Sequence, residues 1–154
     1  MSNFPFALWD KTITLYNKYV DPTTQVVSWY RTVINNCFWK NVNETYYVGT
    51  RGISTTGVKL ETKDIICRIP QDDRYVDKYT WETLDDKSEN FTLGNGDIII
   101  LGEVEDVIDE TEKGSRSTDL VSKYKQYDKS LMIDKYTINT GTGVGMPHYR
   151  IVGA

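Results

Sequence analysis

Few residues of this chain could do chemistry, and the first to weigh is His148, the single histidine among 154 residues. It stands in the closing stretch PHYRIVGA. An imidazole there could serve as a general base, but a hydrolase also needs a nucleophile and an acid that orients the base. No Gly-x-Ser-x-Gly elbow occurs. On a strand through PHYRIVG, His148, Arg150 and Val152 share one face. Tyr149 and Ile151 share the other, which is the better core candidate. Arg150 beside His148 disfavours protonation of the imidazole. The spacing reads as a strand residue at a contact surface rather than a catalytic base.

Glu103, Glu105, Asp106, Asp109, Glu110 and Glu112 form an acidic stretch over 103–112. Carboxylates of this density could hold a hard cation such as calcium. The spacing does not follow the EF-hand pattern, so the stretch reads as a solvated acidic face. Cys37 and Cys67 both sit in apolar, strand-like runs and read as buried free thiols. Two cysteines and one histidine do not make a structural zinc site. GTGVG at 141–145 lacks the Gly-Lys-Ser/Thr ending of a phosphate loop and reads as a turn. Trp9, Trp29, Tyr30, Phe38, Trp39, Tyr46 and Tyr47 could build a sugar-stacking platform, but read better as core and contact residues.

Length and composition bound the rest. A chain this long can bury a core as one domain over 1–154. A net charge of −4 argues against a protein that grips nucleic acid through phosphates. No apolar run is long enough to span a bilayer. The opening MSNFPFALWDK lacks the basic and apolar regions of a signal peptide.

Strand signals dominate. Residues 12–18 and 25–32 alternate and flank the turn VDPTTQ, predicting a hairpin. VINNCFW predicts a third strand after a bend. Residues 41–63, punctuated by Gly49, Gly52 and Gly57, read as a long loop, and 71–89 as a second one pinned by Trp81 and Leu84. DIICRIP is a strand ended by Pro70. Asn95-Gly96 predicts a hairpin turn, and DIIILG a strand buried on both faces. STDLVSKYKQY is the helix candidate, capped by Ser117 or Thr118, with Leu120, Tyr124 and Tyr127 on one face. The expected fold is mainly β: seven to nine strands in a small antiparallel β-barrel or sandwich, with one short helix and long loops.

The opening ITLYNKYVDPTTQVVSWYRTVINNCFWK, the middle GDIIILGEV and the ending MPHYRIVGA resemble small neck proteins of tailed phages of Gram-positive bacteria. These are grouped as minor capsid, head-closure (stopper) or head–tail joining proteins. The resemblance implies a β-barrel that assembles with itself as a ring below the portal or adaptor protein. Such a ring would hold about six or about twelve copies, twelve favoured. It further implies a loop that enters the channel and helps retain packaged DNA without sequence preference, and an opposite side that receives the tail terminator. The place implied is the virion neck, after synthesis in the host cytoplasm. Carried onto this chain, the channel loop is 41–63, with Tyr46, Tyr47, Arg51, Gly52, Thr55 and Lys59; 71–89 is the second choice. His148, Arg150 and Val152 on the last strand are the expected docking surface. The reading assigns no catalytic residue, cofactor, metal or membrane. Its alternatives are a tail-terminator or tail-completion protein, a carbohydrate-binding β-sandwich, and a small hydrolase using His148 and the acidic stretch.

Overall fold

The computed structural model describes residues 9–49, 57–140 and 146–154, with side chains over the same ranges except 43–62. The alternating segment near the start forms β1 (Lys11–Val20), which pairs antiparallel with β2 (Val27–Gly49). The turn between them is held as its sequence predicts. The Asp21 carboxylate accepts the amides of Thr23 and Thr24 at 2.8 and 3.1 Å.

β2 is 23 residues long and serves two neighbours in succession. It pairs with β1 from Val27 to Cys37, then with β3 (Gly57–Pro70) from Phe38 to Gly49. Asn36 takes the left-handed conformation (φ 61°), and the β1 register shifts between Lys11 and Ile13. Such a bulge bends a strand without ending it. The expected third strand at VINNCFW is therefore a continuation of β2. This continuity accounts for part of the lower strand count, six among the described residues.

The remaining strands are β4 (Ile98–Leu101), β5 (Ser130–Asn139) and β6 (His148–Gly153). They close an antiparallel barrel in the order β1-β2-β3-β6-β5-β4. The barrel resolves the choice between barrel and sandwich.

β4 is buried on both faces, as its apolar run predicts. Ile99 points into the barrel with Ile13, Leu15, Cys67, Leu131 and Ile151. Ile98 and Ile100 point outward, join Tyr16, and are roofed by Leu120, Val104 and Ile108. A second apolar layer thus covers the β1–β4 wall. Its roof is α2 (Ser117–Lys125) together with the segment that follows β4. The helix begins at Ser117 rather than after it. The Asp119 carboxylate reaches back to the Arg116 amide at 3.2 Å, and Glu110 accepts from the Ser117 amide and hydroxyl at 2.7 and 2.9 Å. Leu120 is buried, but Tyr127 lies beyond the helix and is 64% exposed.

Three further expectations are corrected. Residues 41–49 and 57–63 are not an irregular loop: β2 and β3 run through them as a ladder, with Gly49 paired to Gly57 at its far end. The glycines cluster at and beyond the ladder's end, and the residues between carry enough β-branched and aromatic side chains to extend. Within 71–89 lies a second helix, α1 (Lys78–Thr83). The Asp77 carboxylate caps it, accepting from the Thr80 amide and hydroxyl at 3.1 and 2.7 Å. Six residues give no periodic stripe to read, only Trp81, which is fully buried edge-on against Tyr19 and Tyr30. Asn95-Gly96 forms a tight turn closed by the Asp97 amide on the Gly94 carbonyl at 3.1 Å, with φ 91° at Gly96. It does not join two paired strands, because β4 pairs with β1 and β5.

Candidate docking face and ribbon

Two features reach outward from this barrel. The first is a ribbon. β1 stops pairing with β2 at Cys37, and β6 stops pairing with β3 at Ile65. The β2–β3 ladder continues from Val42↔Asp64 to Gly49↔Gly57 with no other strand beside it among the described residues. Eight pairs at the antiparallel rise of about 3.4 Å per residue carry the ribbon roughly 25 Å past the barrel. Tyr46 and Tyr47 pair with Leu60 and Lys59 in this ladder. Arg51, Gly52 and Thr55 lie outside the described residues.

The second feature is the outer face of β2, β3, β6 and β5. Register fixes which residues share it. One row reads Phe38, Arg68, Arg150, Thr137; the next reads Lys40, Ile66, Val152, Lys135; a third reads Pro70, His148, Asn139. The expected docking trio therefore stands on one outward face, with Tyr149 and Ile151 in the core. Val152 is nevertheless largely covered, at 9% exposure. His148 is half-covered: the Trp9 ring stands edge-on to it at 5.5 Å. Nδ1 of His148 lies 2.6 Å from the Met146 carbonyl. A carbonyl only accepts, so Nδ1 carries a proton and donates it to Met146.

This geometry does not assemble a catalytic triad. Among the described residues no hydrogen bond joins His148 to a carboxylate. The neighbouring cavity of about 170 Å³ is lined by Gln71, Tyr75, Ile138 and Tyr149, among others. Both cysteines are buried and free. Burial pushes the Cys37 thiol up to about 12 and Cys67 well above the usual thiol range. Neither is a thiolate nucleophile at neutral pH.

The acidic stretch runs along the opposite wall and is partly consumed by the fold. Burial raises the Asp106 carboxyl, but the bonds from Lys123 and Tyr124, both 2.8 Å, outweigh it and hold the group low. Glu110 caps α2, and Asp109 binds the Thr111 amide and hydroxyl. Among the described residues no three of His, Cys, Asp and Glu gather as a metal site. The proposed sugar platform is dispersed: Trp39 packs on the core, Tyr30 on Trp81, and Trp9 near Phe38. None of the helices described is long and apolar enough to cross a membrane.

The ribbon is hidden in the sequence because Gly49, Gly52 and Gly57 read as breakers across the segment. The alternation in VKLETKDI was the available signal.

A closed six-stranded antiparallel barrel with one overlong hairpin defines the architecture. The chain belongs to the family described as Family of unknown function (DUF6751), which it matches over residues 8–154. No curated protein and no solved structure matches it.

Proposed function

We propose that this protein is a structural head–tail connector of a tailed phage, the head-closure component, acting as a ring below the portal or adaptor. The observation that carries the reading is the ribbon. A small closed barrel supplies a rigid collar, and a two-stranded projection of roughly 25 Å can reach from it into a channel. The resemblance of the opening, middle and closing segments to phage neck proteins supports the same assignment. The net charge of −4 fits a wall past which DNA must slide, since a basic lining would hold phosphates.

The mechanism is mechanical. Subunits dock on a ring already in place, and ribbons from successive subunits narrow the lumen. The opposite end receives the tail terminator. A tail-terminator role for the chain itself would use the same parts in the neighbouring ring.

The test is a copy count. Intact virions of the source are purified, and this chain is quantified against the portal protein by mass spectrometry. A fixed ratio corresponding to one ring of about six to twelve copies is expected. Absence from virions overturns the assignment.

A further inference from the structure

The outer face of β3–β6 carries an uneven charge. Lys40, Arg68, Arg150 and Lys135 occupy two adjacent rows, and no carboxylate stands in those rows. Among the residues whose side chains are described, the acids of this face stand at its margins, at Asp64 opposite Val42 and at Asp134 in the β5 bulge. Among the described residues none of the four cations is in an ion pair, and the Arg68 guanidinium lies over the Phe38 ring at 5.0 Å. Four cations with no ion-pair partner among the described residues are unexpected on one face of a chain whose net charge is −4.

The complement stands on the same molecule. After β4 the chain runs extended over the roof of the β1–β4 wall, with alternate residues inward and outward. Val104, Asp106 and Ile108 turn in; Glu103, Glu105, Val107 and Asp109 are exposed. Val107 is 79% exposed amid these carboxylates. Glu103 and Glu105 make no hydrogen bond or ion pair among the described residues. In the strand order β1-β2-β3-β6-β5-β4, the β4–β1 pair lies diametrically opposite β3–β6. The barrel therefore has an acidic ridge on one wall and a cationic face on the other.

We infer that copies of this chain dock head to tail, the cationic face of β3–β6 on one receiving the acidic ridge 103–109 of the next. As the contact between neighbours of the proposed ring, this rests on that reading. Opposed patches on opposite walls make a heterologous interface, which propagates and closes when its rotation allows. Val107 supplies an apolar tooth, and Phe38 and Ile66 an apolar seat among the cations. Nucleic acid is the lesser candidate for this face, because the rest of the molecule repels a polyanion and the matching acidic surface is already present.

Sedimentation velocity on the full chain at about 0.02 M and about 0.5 M salt tests it. Lys40→Glu with Lys135→Glu cancels the charge of one face, against the remaining Arg68 and Arg150, and Glu103→Lys with Glu105→Lys removes the acidic character of the other. All four positions are exposed, so folding is retained and is checked by circular dichroism. The wild type is expected to self-associate at low salt and to dissociate at high salt. Each double variant alone should associate about tenfold more weakly or less. An equimolar mixture of the two should recover association as far as mixed dimers, because the unaltered cationic face of the ridge variant meets the unaltered ridge of the face variant. A wild type that stays monomeric at low salt overturns the inference, as does undiminished association of the variants. Retardation of duplex DNA by the monomer, lost in the Lys40/Lys135 variant, overturns it in favour of a nucleic-acid face. The virion count judges the connector reading separately, since a ring could form through other surfaces.

Discussion

At the scale of single residues, the most constrained polar group is Asp97. Its carboxylate accepts from the Lys18 amide at 3.0 Å and the Asn17 side chain at 2.8 Å, and Asn17 also donates to the Thr92 carbonyl. These bonds stitch the turn before β4 to β1. Burial outweighs them and pushes the Asp97 carboxyl from 3.8 up to about 6. An acid whose folded pKa lies above its unfolded one is protonated first in the folded state. Its ionisation then costs stability as pH rises from about 4 to about 6, by on the order of 3 kcal/mol. Below that window the cost is absent. In Asp97→Asn the titration is gone, so wild-type stability relative to the variant should decline as pH rises through it. Urea unfolding at several pH values between 4 and 7 measures this. A pH-independent difference would show that Asp97 keeps its charge throughout.

At the scale of elements, barrel closure turns on Gly153. It pairs with Ile65 on β3 and Ile133 on β5, beside the register shift between Ile133 and Lys135. A Cβ there would collide with the Met132 carbonyl and press on Leu131. Backbone cannot yield as a side-chain tip can, so Gly153→Ala should cost about 1–3 kcal/mol. A lowered urea midpoint with unchanged slope is expected; an unchanged midpoint would refute it. The ribbon is the opposite case, since no third strand supports it among the described residues. Replacing 44–62 by an Asn-Gly turn should leave the barrel's cooperative unfolding intact, because Asn41↔Ile65 and the pairs inward of it remain. Loss of cooperativity in a thermal melt would show that the ribbon helps hold the barrel.

Across the whole molecule, strands are legible where burial leaves a pattern, as alternation for one buried face or as a continuous apolar run for two. The hairpin 12–32, the run DIIILG and the alternation of PHYRIVG all carry their burial in their pattern. α1 was not legible, because its only core residue is Trp81 and its start is marked by one aspartate. The shared outward face of His148, Arg150 and Val152 on β6 follows from period-two geometry. Its cationic companions do not: Lys40, Arg68 and Lys135 are far apart in sequence, and only the register brings them beside Arg150. The acidic ridge was visible as composition, but its division into inward and outward carboxylates required the roof it lies on.

The continuity of β2 has a mechanical consequence. Fraying that starts at the ribbon's end opens its pairs one at a time, each yielding separately. When the opening reaches Ile65, β3 is flanked by β6 as well as β2, and pairs on both sides must give together. The molecule thus has a compliant arm on a stiff base, with the change of stiffness set where β6 begins to share the load.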